Sequence, residues 1–201
     1  MQVKRFILGP ALTNLYVVSG EDGHGFIVDC ADRDEAVDKY ISENNIKIDF
    51  ILQTHTHFDH VLGLEYYKNL YEVDVYASND AKEIANDKNY NLAYDYDDLY
   101  VPIDKYVEDG EIITEYKILA IKTPGHTIDS MSYIIDDMVF TGDSLFKLTI
   151  GRTDFPGGDY NTLIDSIKNK LGILNPDTKV YPGHRADTTI GYEKQYNQFF
   201  Q

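Results

Sequence analysis

Residues 54–60 read THTHFDH, which places three histidines and an aspartate in seven positions. The chain holds six histidines in 201 residues, so half of them fall here. The stretch overlaps the end of DFILQT, a short apolar run that fits a buried strand. A fold that accepts this segment must bring something to the end of that strand to satisfy so many polar rings. Imidazole and carboxylate are the preferred ligands of zinc and iron where thiolates are absent. His55 and His57 are two apart, and in an extended segment they point to one side and can grip one ion together. Asp59 and His60 are adjacent, and in a turn after the strand they diverge and suit a second ion nearby.

Two such ions need further ligands. His126 lies in TPGHT and His184 in YPGHR, each after an expected strand end and a Pro-Gly pair. Proline ends strand pairing, and glycine lets the backbone turn sharply and approach a ligand site. Asp143, in VFTGDS, again ends an expected strand after a glycine, and its two oxygens can bridge two cations. His24 stands alone and is read as an ordinary satisfied histidine. The one cysteine, Cys30, excludes an intrachain disulfide and a thiolate-rich zinc knuckle. The net charge of −16 argues against wrapping a nucleic acid, whose phosphates need a basic surface. No apolar run approaches a membrane span, and the N-terminus lacks the pattern of a signal peptide, so the expectation is a cytoplasmic protein with no membrane partner.

Strands are expected at VKRFIL, NLYVVS, GFIVDC and DFILQT, with a helix over Arg33–Asn45 and another over VLGLEYYKNLY despite Gly63. The second half repeats the alternation. Strands fit YKILAIKT, SMSYIID, DMVFTGD and KVYP, and helices fit Tyr160–Leu171 and Tyr192–Phe200. Interspersed strands and helices imply an α/β layered fold, read as one domain over residues 1–201. The segment NYNLAYDYDDLYVP holds four tyrosines and three aspartates. It fits either a half-solvated surface segment or an aromatic wall beside the site.

The HxHxDH stretch at 55–60, followed in order by His126, Asp143 and His184, resembles the metallo-β-lactamase superfamily over nearly the full length. The resemblance implies a four-layer αββα sandwich with a metal site along one edge. It further implies that His55, His57 and His126 hold a first metal, that Asp59, His60 and His184 hold a second, and that Asp143 bridges them. Asp29, closing the strand GFIVDC, resembles a family acid near the site and is assigned the role of orienting ligands. The implied cofactors are two divalent ions, zinc first, with iron or manganese as alternatives. Asp59 is the candidate catalytic residue, binding metal and orienting the attacking water.

His57 stands where flavodiiron oxidoreductases carry glutamate, and Cys30 is not placed as the cysteine ligand of many β-lactamases. GRTDFPGGD at 151–159 is similar to a stretch of short glyoxalase II-like hydrolases and of persulfide dioxygenases. The implied function is therefore a binuclear hydrolase of small thioester or ester substrates, glyoxalase II-like. The alternatives are a mononuclear iron persulfide dioxygenase and a lactonase or esterase. Only 17 residues follow His184, so the C-terminal helical domain with which full-length glyoxalase II grips glutathione is not expected. Arg152 is the leading candidate to anchor a substrate carboxylate, with an ion pair to Asp154 as the competing reading. Lys147 and Arg185 are further candidates.

Overall fold

The computed structural model describes residues 1–201. β1 (Gln2–Leu8), β2 (Thr13–Ser19), β3 (His24–Val28), β4 (Lys47–Leu52), β5 (Asp74–Ser78) and β6 (Lys105–Val107) form one sheet in chain order. β1 to β3 pair antiparallel. β3 to β6 run parallel, and parallel neighbours need crossovers. α1 (Glu35–Glu43) spans the first, α2 (Phe58–Val61) and α3 (Leu64–Tyr71) the second, and α4 (Ala81–Ile84) and α5 (Lys88–Asn91) the third.

The chain then passes once to a second sheet. β7 (Ile112–Ile113), β8 (Ile118–Lys122), β9 (Met131–Ile135) and β10 (Met138–Gly142) form an antiparallel meander. A hairpin of β11 (Leu145–Phe146) and β12 (Thr149–Ile150) follows, then α6 (Tyr160–Asp165), which continues as a π-helical turn to Leu171. β13 (Lys179–Pro182) lies parallel beside β10, β14 (Thr188–Thr189) pairs at its edge, and α7 (Ile190–Tyr196) closes the chain with a 3-10 turn.

Side-chain alternation along the strands builds the layers. Tyr16, Val18, Phe26, Phe50 and Leu52 face inward from the first sheet and pack on Ile118, Met131, Tyr133 and Phe140 of the second. The alternate residues Val17, Ile27 and Ile51 face outward onto Val37 and Ile41 of α1 and Leu64 and Tyr67 of α3. Val139 and Val180 likewise meet Leu171 and Ile190 on the far side. The order helix, sheet, sheet, helix is the expected αββα sandwich.

The helix expected over 61–71 is two helices. α2 begins three residues earlier at Phe58, and the break falls at Leu62 and Gly63. Asp59 and His60 thus sit in a helical turn rather than an irregular one, where adjacent residues still diverge by about 100°. The helix expected at 33–45 is shorter, because Asp34 caps it by accepting a hydrogen bond from the Ala36 N–H at 2.7 Å. The last helix starts at Ile190, not Tyr192, and Asn197 leaves helical geometry before the final 3-10 turn. Strands β5 and β6 and the short strands β7, β11, β12 and β14 lie outside the expected set.

Phe140 is 1% exposed, and its ring centroid lies 5.5 Å from that of Tyr16 and 5.2 Å from that of Tyr181. It belongs to β10, two residues before Gly142. Phe140→Ala should cost about 3–5 kcal/mol of stability, read as a lowered denaturation midpoint. A loss below about 1 kcal/mol would mean that the two sheets do not share this core.

Candidate metal centre

Five strand ends meet at one edge of the sandwich. β3 delivers Asp29, β4 delivers residues 53–60, β8 delivers His126, β10 delivers Asp143 and β13 delivers His184. Two pairs of neighbouring parallel strands set the registers, Val28 opposite Leu52 and Gly142 opposite Pro182. The Gly183 N–H donates to the Gly142 carbonyl at 2.8 Å, which aligns Asp143 with His184. Asn14 N–H donates to the Gly183 carbonyl at 2.7 Å, and the Asn14 amide and Tyr16 hydroxyl both donate to the Pro182 carbonyl. Strand β2 of the first sheet thereby pins the His184 turn of the second.

Both Pro-Gly-His turns need their glycine. A β-carbon at Gly183 would lie 2.2 Å from Asp143 Oδ1 and 2.6 Å from His60 Cε1. Gly125 has φ +125°, and a β-carbon there would meet the Leu163 backbone nitrogen at 2.2 Å. Six of the predicted ligands are buried, and the His184 side chain is 21% exposed.

The seven residues form three overlapping groups: His55, His57 and His126; His55, His60 and Asp143; Asp59, His60 and His184. Within each group the donor atoms lie within 4.8 Å of one another. Every group draws on both sheets. His184 Nε2 is 3.3 Å from both Asp59 Oδ2 and Asp143 Oδ2, and His126 Nε2 is 3.6 Å from Asp143 Oδ2.

Outer contacts fix which ring nitrogen faces inward. Asp29 Oδ1 accepts the Thr54 N–H and Oδ2 accepts the Thr54 hydroxyl, each at 2.8 Å. His60 Nδ1 is 2.8 Å from the same Oδ2, so it must carry the proton and donate. Thr54 spends its hydrogen on Asp29, so at 3.2 Å its oxygen accepts from His55 Nδ1–H. His126 Nδ1 donates to the Arg152 carbonyl at 2.7 Å. Neutral His55 and His60 therefore turn an Nε2 lone pair inward, and His126 Nε2, turned the same way, lies 3.0 Å from His57 Nδ1. His55 Nε2 and His57 Nε2 are buried with no hydrogen-bond partner, and His60 Nε2 faces only Asp143 Oδ1, at 3.3 Å. Buried polar atoms are seldom left this way, and a set of imidazole and carboxylate donors without thiolate fits divalent cations.

Burial lowers the His55 ring's pKa, with His60 and His57 adding repulsion. Burial, with His126 next, holds His57 down to about 3. For His60, burial is outweighed by Asp59, Asp29 and Asp143, and its pKa rises. For His184, burial is outweighed by hydrogen bonds to Asp143 and Asp59, and the pKa rises to about 9. Burial would raise both carboxyls, but His60 and His184 prevail: Asp59 falls to about 2 and Asp143 lies well below the carboxylate range. In the cation-free protein, charged imidazoles thus neutralise the acids. A divalent cation has to replace those protons.

A cavity of about 390 Å3 opens over the cluster, lined by His57, Asp59, His126, Asp143 and His184. Ala11, Phe58, Leu92, Phe146, Ile150 and Phe155 form its apolar wall, and Arg152 and Arg185 its charged rim. The Phe155 ring stands edge-on to His57, centroids 5.4 Å apart. The 89–102 segment supplies Leu92 to the wall, and Tyr96 stacks on Phe58, while Tyr94 and Tyr100 are exposed. Lys147 is not among the lining residues; its ammonium lies 5.6 Å from the Tyr192 ring centroid. His24 is at the start of β3, 2.8 Å from Asp49 and apart from the cluster.

Three contributors were not anticipated. The Thr13 hydroxyl donates to Asp59 Oδ2 at 2.7 Å, and the Gln53 amide donates to the His60 carbonyl at 2.7 Å. Asp129, 1% exposed and with its pKa raised by burial, accepts the hydroxyl of Thr56, the residue between His55 and His57. Its place three residues after His126 was the available signal.

A sandwich with imidazoles and carboxylates gathered at one edge by strand ends defines a class of metal-dependent hydrolase. Residues 8–184 match the Metallo-beta-lactamase superfamily, and the chain belongs to that superfamily. It is 34% identical over 196 residues to the hydroxyacylglutathione hydrolase GloC of Haemophilus influenzae, covering 92% of each chain. The solved structure of BLEG-1, described as a B3 metallo-beta-lactamase, matches with TM-score 0.92 and 32% identity over all of both chains. The structure of TTHA1623 in a di-iron-bound form matches with TM-score 0.84 and 29% identity, over 98% of this chain and all of that one.

Gly183→Ala should drive Asp143 and His60 apart and lower the metal content of the purified protein. Elemental analysis reads the loss, and an unchanged circular dichroism spectrum shows that the fold persists. Full metal content in that variant would mean that the crowding at Gly183 is unimportant. Metal uptake at pH 7 should release protons, which calorimetry in buffers of different ionisation enthalpy counts, and apparent affinity should weaken as pH falls. The raised His184 pKa stabilises the cation-free fold below about pH 6.5, and that stability is lost as pH rises through about 9. The lowered Asp59 pKa stabilises it above about pH 3.8, with loss as pH falls through about 2. A cation-free melting temperature that does not drop between pH 6.5 and 9 would contradict the His184 ion pairs.

Proposed function

We propose that the chain is a binuclear thioesterase acting on small thioesters of the hydroxyacylglutathione kind. In this reading His55, His57 and His126 would hold one ion and Asp59, His60 and His184 a second, with the Asp143 carboxylate available to both. The observation that carries it is the inward convergence of buried donors whose outer nitrogens are already engaged. When bound, divalent ions lower the pKa of water to about 7 and polarise a carbonyl. Asp59, steadied by Thr13, orients the attacking water. Phe58, Phe146 and Phe155 exclude bulk solvent from the acyl group. The departing thiolate needs little protonation, so no separate strong acid is required.

Similarity to GloC supports the choice of thioester, since that relative is of matching length and its name specifies hydroxyacylglutathione. Zinc is the expected ion, with iron or manganese as alternatives. The BLEG-1 likeness makes β-lactams a necessary comparison.

The test joins metal analysis to a substrate panel of a hydroxyacylglutathione, a neutral thioester, a lactone and a β-lactam. Two ions per chain and the highest kcat/KM on a thioester are expected, with activity lost to a chelator and regained on adding metal. Asp59→Asn should lower kcat by about 100-fold or more. Preference for the β-lactam or the lactone would overturn the reading, as would one iron per chain with oxygen uptake on a persulfide.

A further inference from the structure

The cavity rim carries two arginines in different states. The Arg152 guanidinium forks onto Asp154, Nε to Oδ1 and Nη2 to Oδ2, each at 2.6 Å, and its carbon stacks 4.1 Å from the Phe155 ring centroid. One of its two forked edges, Nε with Nη2, is in use, and Asp154 counters its charge. Its carbonyl meanwhile holds His126. Arg152 therefore braces the loop that walls the His126 side, with Asp154 already on its charge.

Arg185 differs in three respects. Its guanidinium makes no hydrogen bond, ion pair or aromatic contact with any other residue, in a chain of net charge −16. Its backbone sits at φ +69°, a region that side chains with a β-carbon rarely adopt and glycine adopts freely. That backbone is held in place, since its carbonyl accepts Arg5 Nη1 at 2.9 Å and the Asn14 amide at 3.0 Å. A long cationic side chain thus occupies a strained position directly after His184, lines the cavity, and lacks an internal partner. Strain kept at a site edge points to function.

We infer that Arg185 is the specificity-determining residue of this site: it selects substrates that carry a carboxylate and binds that carboxylate on the His184 side of the cavity. The inference rests on the thioesterase reading for its reaction but not for its binding site. A free guanidinium offers a carboxylate two parallel N–H donors and a full positive charge. The carboxylate can belong to the thiol half or to the acyl half of a thioester.

Arg185→Gly is the informative variant, because glycine suits φ +69° and the fold should survive with an unreduced melting temperature. Three thioesters separate the sources: a hydroxyacylglutathione, a succinyl thioester of N-acetylcysteamine, and a hydroxyacyl thioester of N-acetylcysteamine. Arg185→Gly should raise KM by about 10- to 100-fold for one or both charged thioesters, with kcat changed much less. The neutral thioester should show no comparable rise. The compound that loses affinity identifies the half that carries the carboxylate. KM unchanged for both charged thioesters, or raised equally for all three, overturns the inference.

If the wild-type protein hydrolyses none of them, the thioesterase reading fails, and calorimetric binding decides the arginine separately. S-methylglutathione and a carboxypropyl thioether of N-acetylcysteamine are the probes. Weakening of either by about tenfold or more in Arg185→Gly supports the inference. Equal affinities, or no binding of either probe to the wild type, overturn it.

Discussion

Asp29 receives three hydrogen bonds, two from Thr54 and one from His60. It is 1% exposed and sits at φ +57°, just past the end of β3. Through these contacts one carboxylate sets the proton positions on two of the rings, His60 directly and His55 by way of the Thr54 hydroxyl. A ring that keeps its proton outside turns its lone pair inside. The one ring-to-ring contact in the cluster, His126 Nε2 to His57 Nδ1 at 3.0 Å, lies outside the reach of Asp29.

The glycine turns act on the same space from the opposite sheet. Gly183 lets the β13 turn lie against Asp143 and His60, and the Asn14 and Tyr16 side chains hold that turn in place. The aromatic packing of Tyr16, Phe140 and Tyr181 lies beneath. Core packing and ligand geometry are therefore one problem here: a shift between the sheets at Phe140 would reach Asp143 within three residues.

Much of this was legible because the residue types are rare and their setting recurs. HxHxDH after an apolar run, and two Pro-Gly-His turns, announce the strand ends before any fold is known. The outer partners were less visible. Thr13 reaches Asp59 across 46 positions and Asp129 reaches Thr56 across 73, and a lone threonine or aspartate carries no periodic signal. The short strands β5 and β6 and the early start of α2 were hidden for another reason. Their identity is set by sheet pairing and by core packing, Val75 and Ala77 beneath the helices and Val107 between the sheets, rather than by local propensity. Arg152 shows a third limit, since sequence alone could not tell a free guanidinium from one already clasped by Asp154.

The chain crosses from one sheet to the other a single time, between Val107 and Ile112. No donor triad is complete within either half of the polypeptide: residues 55–60 come from before the crossing and His126, Asp143 and His184 from after it. Ion affinity is thus inseparable from the association of the two halves. By mass action, each bound cation becomes a rivet through the sandwich, and whatever loosens the layers also releases the ions.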